Sequence, residues 1–183
     1  HIKTINKSVK NLTVILNDFL SLEKLDEGKA TTRPINFDLC NFIQETIDEI
    51  KDISQEGQDI FYSHQGNIQE IFQDKDMFRN ILINLLSNAM KYSPKESDIK
   101  VTTISTKDDL KITIEDNGYG IPKEEQKHLF ERFFRAQNVS TIQGTGLGLN
   151  IVKRYLDFMG GAIDFESTEN KGTTFKIHLP VEM

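Results

Sequence analysis

Amphipathic helices are the first elements that the pattern of apolar and polar residues predicts. From Ile2 to about Asp26 the apolar residues have the heptad spacing of a helix that packs along another helix, and Gly28 provides a stop. One such helix cannot bury its own apolar stripe, so it needs the globular part, a missing helix or a second subunit as its partner. We favour a missing helix or a second subunit, as in a helical bundle.

Further helices are predicted where apolar residues recur every three or four positions. These are an Asp38-capped helix to about Ser54, an Asp74-capped helix to Tyr92, a helix from Leu147 to Met159 and a short helix from Lys123 to Phe130. Gly160 and Gly161 then act as a helix stop.

Strands are predicted where apolar and polar residues alternate. The predicted strands are Asp59 to Ser63, Asn67 to Phe72, Ile99 to Ser105, Leu110 to Glu115, Ala162 to Glu166 and Thr173 to Leu179. The polar segment Thr106 to Asp109 joins two of them as an antiparallel hairpin, and Thr31 to Pro34 is a connector. One antiparallel sheet with helices on one face predicts an α+β fold, a two-layer α/β sandwich that follows the bundle-type helix.

Composition and charge limit the classes of function. The 183 residues, with 37% hydrophobic content, can form one domain plus an appendage. The formal net charge of -6 gives no general attraction for nucleic acid or an anionic membrane, so any affinity for phosphate has to be local. Cys40, the single cysteine, excludes an internal disulfide and is expected to be a small buried hydrophobe. The longest apolar stretch, around Ile81 to Leu86, is too short to span a bilayer. We expect a cytoplasmic chain without direct membrane contact, with any membrane anchor in upstream sequence.

The helix from Asp74 to Tyr92 carries an unusual polar row. Asn84, Asn88 and Lys91 lie at i, i+4 and i+7 and share one face, although asparagine is a poor helix former. An apolar stripe lies beside this row, so the amides are expected at the edge of the core, within reach of a ligand. Two amide oxygens and an ammonium suit a hydrated metal and phosphate.

The segment Asp116 to Pro122, with the sequence DNGYGIP, follows the predicted hairpin. A carboxylate followed by glycines can accept a hydrogen bond from an exocyclic amine while the backbone approaches a flat ring, so adenine would fit. The alternative is a tight turn with an Asx residue.

A glycine-rich segment, Gly144 to Leu149, overlaps the start of the helix predicted from Leu147. Its amides and the helix N-terminus can hold phosphate oxygens. The segment does not fit the dinucleotide fingerprint well, and the chain lacks a GKS or GKT P-loop, so this signal is weak by itself.

The order and spacing of these motifs resemble those of sensor histidine kinases. Asn84 to Tyr92, Asp116 to Gly120, Phe130 to Arg135 and Gly144 to Leu149 are similar to the N, G1, F and G2 boxes of that family. The resemblance covers essentially the whole chain: residues 29–183 look like the catalytic ATP-binding domain, and residues 1–28 look like the second helix of the dimerisation and phosphotransfer hairpin. It implies the Bergerat ATP-binding fold, with ATP and Mg²⁺ between the asparagine helix and a lid from about Phe133 to Gly144.

The resemblance also implies roles for individual residues. Asn88 would be a direct Mg²⁺ ligand, Asn84 a second amide at the metal and phosphates with a catalytic role, and Lys91 a contact to the phosphates. Arg135, with Arg132 as a second candidate, would neutralise charge on the terminal phosphate.

For the nucleotide pocket, the resemblance implies that Asp116 receives the adenine amino group. The other residues implied in nucleotide binding are Tyr92, Gly118, Gly120, Ile121, Gly144, Thr145, Gly146, Leu147, Gly148, Leu149 and Thr173. Phe133 and Phe134 are instead expected to anchor the lid in the core.

The chain departs from the family in its histidines. The kinases phosphorylate a histidine in an H-box, which is followed by an acidic residue and a nearby proline, and none of His1, His64, His128 and His178 lies in such a segment. We therefore expect the phosphoacceptor histidine upstream of this chain, which would bind nucleotide but not phosphorylate itself. The implied partners are a second subunit, joined through the phosphotransfer helices, and the receiver domain of a response regulator.

Other interpretations of the pocket stay open. Hydrolytic ATPases of the same superfold usually have a glutamate as water-activating base where this chain has Asn84, and an amide cannot accept that proton. A serine-directed kinase would also fit the pocket, although the bundle-type helix favours histidine phosphotransfer. A non-catalytic nucleotide-sensing or dimerisation module is the alternative from a different class, and the presence of Asn88 and Asp116 disfavours it.

Overall fold

The computed structural model describes residues 31–51, 57–142 and 144–181, together with Leu16, Leu20 and Glu23, which are helical. The rest of the helix predicted from Ile2 to Asp26, and its stop at Gly28, lie outside the described residues. The elements in chain order are β1 (Pro34–Asp38), α1 (Leu39–Ile50), β2 (Asp59–Gly66), β3 (Glu70–Asp74), α2 (Lys75–Lys91), β4 (Asp98–Ser105), β5 (Asp109–Asp116), α3 (Gly148–Phe158), β6 (Ala162–Thr168) and β7 (Gly172–Pro180). None of the helices within these described ranges is long and apolar enough to cross a membrane.

Five strands form one mixed sheet in the order β2-β4-β5-β7-β6. β2 runs parallel to β4, whereas the other neighbouring strands are antiparallel. β1 and β3 form a separate two-stranded antiparallel sheet. Residues of β4, β5 and β7 alternate between buried and more exposed, so one face of the large sheet packs on the helices.

The α+β, two-layer prediction is confirmed, but the prediction of one antiparallel sheet is wrong. The chain between β2 and β4 contains β3 and α2, and such a long crossover returns it in the same direction. The strand predicted from Asn67 to Phe72 forms at Glu70–Asp74 and joins the small sheet. Its partner begins at Pro34, which was predicted to end a connector.

Both predicted N-caps are confirmed. Asp38 caps α1, and Asp74 Oδ1 accepts from two amides in the first turn of α2 at 2.9 and 3.1 Å. Asp74 Oδ2 also accepts from the Arg33 amide at 2.7 Å, which ties the start of α2 to the segment before β1. Gly160, with φ +71, follows the end of α3 as the predicted stop.

Other predicted elements are shorter than expected. α1 ends at Ile50, before the predicted Ser54, and Ser54 itself lies outside the described residues. Between Lys123 and Phe130 the structure has turns and one 3-10 turn, Gln126–His128, rather than an α-helix. Cys40 is half-buried, since it lies beside the stripe of α1 that faces the core rather than on it.

Candidate functional site

The polar row of α2 lies at the edge of the core, as predicted. Asn84, Asn88 and Lys91 are half-buried, whereas Leu85 beside them is fully buried. Asn84 Nδ2 donates to a backbone carbonyl one turn earlier at 2.9 Å, and Asn84 Oδ1 faces the first residue of α3. A Cβ atom added at Gly148 would lie 2.6 Å from Asn84 Oδ1. Glycine at this position therefore keeps open the space between α2 and the N-terminus of α3.

Asp116 ends β5 with its carboxylate buried beneath the glycine loop, residues 117–121. Its side chain is 7% exposed, and Oδ1 accepts from the amides of Gly118 at 2.9 Å and Thr173 at 3.1 Å. Burial raises the pKa of Asp116 to about 6, and the two amide hydrogen bonds oppose this shift. Among the described residues no donor bonds Oδ2, which is available to a ligand as an acceptor.

The glycine loop packs closely on two neighbours. The amide of Tyr119 donates to the carbonyl of Tyr92 at 2.9 Å, and a Cβ added at Gly118 would lie 2.3 Å from that carbonyl oxygen. Gly120 has φ +59, and a Cβ there would lie 2.0 Å from the carbonyl oxygen of Thr168. The loop is thus held between the end of α2 and the β6–β7 turn, and Ile121 behind it is buried.

Lys91, Tyr92, Gly144 and Arg135 meet at the C-terminal end of α2. Lys91 Nζ lies 3.2 Å from the Tyr92 hydroxyl. A Cβ added at Gly144 would lie 2.7 Å from Lys91 Nζ and 3.9 Å from Arg135 Nε. Burial, with the charge of Arg135, lowers the pKa of Lys91, and burial raises the pKa of Tyr92. An anion bound here would offset the repulsion between the two cations.

Arg135 also lies in the segment from about Phe133 to Gly144 that the sequence predicts to be a lid. Its Nη2 donates to the carbonyls of Val139 at 3.2 Å and Ser140 at 2.9 Å and to that of Ile142. Its Nε is buried, and no hydrogen-bond partner for it lies within the described part of the chain. In this structure the guanidinium therefore organises the lid, while Arg132 is exposed.

The glycine-rich segment contacts the base of the lid. Gly146 has φ +71, and a Cβ there would lie 2.6 Å from the carbonyl carbon of Phe133. Thr145 Oγ1 accepts from the amide of Leu147 at 3.1 Å, Leu147 is buried, and Leu149 lies half-buried in the first turn of α3. No side chain caps α3, so its first amides remain available as donors.

The prediction that Phe133 anchors the lid in the core is wrong. Phe133 has φ 63 and is 67% exposed, because its backbone rests on Gly146 in the left-handed region and its ring turns to solvent. Phe134 is half-buried, and its ring lies 5.8 Å from that of His128.

The structure brings the predicted residues together in two groups. One group holds the carboxylate, the loop and the start of β7: Asp116, Gly118, Gly120, Ile121 and Thr173. The other holds the polar row, the lid and the start of α3: Asn84, Asn88, Lys91, Tyr92, Arg135, Gly144 and Gly148.

The contacts of two residues at the site, Ser167 and Gln126, were not predicted from the sequence. The hydroxyl of Ser167 accepts from the Ile121 amide at 2.9 Å, and Gln126 Nε2 donates to the carbonyls of Ile121 and Ser167 at 3.0 and 3.1 Å. One sequence signal could have found Ser167. In β6 it follows Ile163 and Phe165 at the period of a strand, so a polar residue occupies an inward position.

Comparison with known proteins finds similar sequences along nearly the whole chain. A family model described as "Histidine kinase-, DNA gyrase B-, and HSP90-like ATPase" matches residues 73–183. The circadian input-output histidine kinase CikA of Synechococcus elongatus is 32% identical over 98% of this chain, which spans 24% of the length of CikA.

Two solved structures have the same fold. The mycobacterial sensor histidine kinase MprB is 26% identical, with a TM-score of 0.70 over 82% of this chain and 99% of that one. Full-length ShkA in complex with AMPPNP is 22% identical, with a TM-score of 0.86 over 99% of this chain and 38% of that one.

The family match begins at the end of β3 and includes α2, the glycine loop, the lid and α3. It therefore spans the whole candidate site and more than half of the chain. The chain belongs to the family of histidine kinase-, DNA gyrase B- and HSP90-like ATPases.

Proposed function

We propose that this chain is the ATP-binding catalytic part of a sensor histidine kinase. It transfers the γ-phosphate of ATP to a histidine outside the described residues, for relay to an aspartate of a response regulator. Residues 29–183 form the catalytic domain and residues 1–28 belong to a phosphotransfer helix. The similarity to CikA and MprB, both named as histidine kinases, supports this assignment.

One observation carries the proposal. The buried acceptor Asp116 and its glycine loop lie beside the C-terminal end of α2 at Tyr92, while Lys91, and Asn84 next to Gly148, lie on the half-buried face of the same helix. Asp116 Oδ2 accepts from the adenine amino group, while Gly118, Gly120, Ile121 and Thr173 form the wall around the base. Phosphates bind where Lys91 and Tyr92 meet the glycine-rich segment. The residues assigned to that end are Gly144, Thr145, Gly146, Leu147, Gly148 and Leu149, with Arg135 and Arg132 from the lid.

The donor set at the phosphate end fits Mg²⁺. No group of three histidine, cysteine or acidic side chains in the described ranges could hold a metal, so the ligands are amide oxygens, phosphate and water. Asn88 is the proposed metal ligand, and Asn84 provides a second amide oxygen at the metal and phosphates. Gly148 leaves room at Asn84 Oδ1, which a Cβ atom at position 148 would crowd. Bound Mg²⁺ would neutralise charge on the phosphates.

Phosphotransfer is favoured over hydrolysis by the chemistry of Asn84. An amide cannot accept a proton from water, so the site lacks the general base of a hydrolytic ATPase at that position. The described histidines have other surroundings. His64 of β2 bonds Thr103 of β4, His128 pairs with Glu131, and His178 lies in β7.

Dimerisation and a response regulator are proposed as the partners of the longer protein. Leu16 and Leu20, one helical turn apart, are 57% and 42% exposed, which suits an apolar stripe that packs against another helix. No nucleic acid is proposed as a partner, given the net charge of -6. We place the domain in the cytoplasm, where ATP and response regulators are present.

Label transfer from γ-labelled ATP tests the proposal. The chain is mixed with a separate polypeptide that carries an H-box helical hairpin, with and without Mg²⁺. We expect an acid-labile, base-stable label on that polypeptide, dependent on Mg²⁺ and lost in Asn88→Ala. Rapid phosphate release without labelled protein would contradict a kinase and indicate an ATPase, and failure to bind nucleotide would indicate a structural module.

A further inference from the structure

A row of three polar residues crosses the buried face of the sheet beside the glycine loop. Asp116 of β5 is in register with Thr173 of β7, and Thr173 is in register with Ser167 of β6. The next two rows on the same face are apolar: Ile114, Phe175 and Phe165, followed by Ile112, Ile177 and Ile163. The polar row is thus confined to the end of the sheet where the base is proposed to bind.

The contacts of Ser167 assign the direction of its hydrogen bonds. Its Oγ lies 2.9 Å from the Ile121 amide nitrogen, 3.1 Å from the Gly172 carbonyl oxygen and 2.9 Å from Thr173 Oγ1. The amide can only donate and the carbonyl can only accept, and a serine hydroxyl has one hydrogen and two lone pairs. All three contacts are satisfied when Ser167 donates to Gly172 and accepts from both Ile121 and Thr173.

This direction determines what Thr173 presents to a ligand. Its hydroxyl hydrogen is used by Ser167, and no other described group bonds its Oγ1, so only lone pairs remain. Asp116 Oδ2 is also an acceptor, while the donors nearest to it, the amides of Gly118 and Thr173, are already bonded to Oδ1. The wall therefore offers neighbouring acceptors and no free hydroxyl hydrogen.

We propose that Ser167 is a positioning residue for base selection, which holds the Thr173 hydroxyl as an acceptor toward a 6-amino purine. The proposal rests on the proposed function, in which Asp116 receives the adenine amino group. A 6-amino group has two N–H donors, whereas the 6-oxo group of inosine or guanine has only lone pairs. The two acceptors in the wall, Asp116 Oδ2 and Thr173 Oγ1, therefore bind the 6-amino group and repel the 6-oxo group.

Removal of the Ser167 hydroxyl should relax this selection. In Ser167→Ala the Thr173 hydroxyl can rotate and donate, which allows a hydrogen bond to a 6-oxo group. The Ile121 amide also loses its acceptor, and that loss weakens the binding of ATP and of inosine triphosphate to the same extent. The ratio of affinities, rather than the affinity for ATP alone, therefore reports the positioning role.

Calorimetric titration of the chain with ATP and with inosine triphosphate tests the proposal. We expect the ATP preference to fall roughly three- to tenfold in Ser167→Ala, the loss of about one hydrogen bond's discrimination. Ser167→Thr retains a hydroxyl and should keep the preference. Ser105→Ala is the matched control, because Ser105 is a buried sheet serine whose hydroxyl donates to the Ile68 carbonyl at 2.8 Å, outside the site. Its preference should equal that of the wild type.

The outcomes separate the inference from the proposed function. An unchanged ATP preference in Ser167→Ala, with a wild-type chain that prefers ATP, would overturn the positioning role alone. Equal losses of affinity for ATP and for inosine triphosphate would likewise show that Ser167 has only a structural role. A wild-type chain that binds neither nucleotide would overturn the proposed function, and the inference with it.

Discussion

Asp116 is held where burial disfavours its charge. Its pKa is raised to about 6 although two amides donate to Oδ1, so desolvation outweighs the hydrogen bonds. A stable core would be better served by a neutral residue at this place. The cost is consistent with a group kept for ligand recognition, since perturbed carboxylates concentrate at functional sites.

The cost of burying the charged Asp116 carboxylate should be measurable in the stability of the nucleotide-free protein. The folded pKa of Asp116 lies above the unfolded value of 3.8, so its stabilising contribution is complete below that value and is lost as the pH rises through about 6. Asp116→Asn should therefore raise the free energy of unfolding at pH 8 by roughly 1–3 kcal/mol, with a smaller gain at pH 4. Urea unfolding at both pH values measures this, and a gain independent of pH would contradict the assigned burial cost.

The same variant that gains stability, Asp116→Asn, should lose nucleotide selectivity. Asp116→Asn replaces one carboxylate oxygen by an N–H donor, so the preference for ATP over GTP should fall by about tenfold or more, the range for one charge-assisted hydrogen bond. Competitive displacement of a labelled ATP analogue by each nucleotide gives the preference. Equal weakening for ATP and GTP would mean that Asp116 does not contact the base.

Residues with local signals could be predicted from the sequence. Asp38 and Asp74 precede apolar helical patterns, and Asn84 and Asn88 break such a pattern at i and i+4. Phe133 could not be placed, because its exposure depends on contact with Gly146, a residue distant in sequence. Ser167 was missed for a related reason. Its contact with Thr173 depends on the register of β6 and β7, and its other partner, Ile121, is distant in sequence.

At the scale of elements, pairing direction was the main failure. Alternation shows that a segment is a strand, but β2 and β4 alternate in the same way whether they pair parallel or antiparallel. The small sheet was also missed, because Pro34–Asp38 and its partner Glu70–Asp74 are separated along the chain by α1 and β2. The starts of α1 and α2 were predictable because their capping signals are local.

The two caps should differ in their contribution to stability. Asp74→Ala removes the acceptor of two helix amides and of the Arg33 amide, so we expect a loss of about 1–3 kcal/mol in the free energy of unfolding. Asp38→Ala removes one exposed cap bond at 2.6 Å and should cost about 0.5–1 kcal/mol. Urea unfolding of both variants makes the comparison, and equal losses would argue against the link through Arg33.

The lid should depend on Arg135. Arg135→Lys keeps the charge but cannot reproduce guanidinium bonds to several carbonyls, so amide exchange at Ser140 and Ile142 should accelerate by about tenfold. Hydrogen exchange followed by mass spectrometry measures this, with the amides of β7 as an internal reference. Unchanged lid protection relative to β7 would show that the lid is held by other contacts.

At the scale of the whole molecule, two separated groups of residues are joined by α2. The helix ends beside the glycine loop at Tyr92 and passes Asn84 next to Gly148, so one element sets the spacing of both ends of the site. Its buried face packs against α1, α3 and β5, and this fixes its position. The central claim is that this spacing holds one ATP molecule with Mg²⁺ at Asn88.

Calorimetric titration with AMPPNP, with and without Mg²⁺, tests that claim most directly. The wild-type chain should bind more tightly with Mg²⁺, and Asn88→Ala should lose most of this Mg²⁺-dependent gain while binding without metal changes little. Asn80→Ala, an exposed asparagine on the same helix, is the matched control and should behave as the wild type. Binding that is the same with and without Mg²⁺, or a gain that survives in Asn88→Ala, would contradict the account.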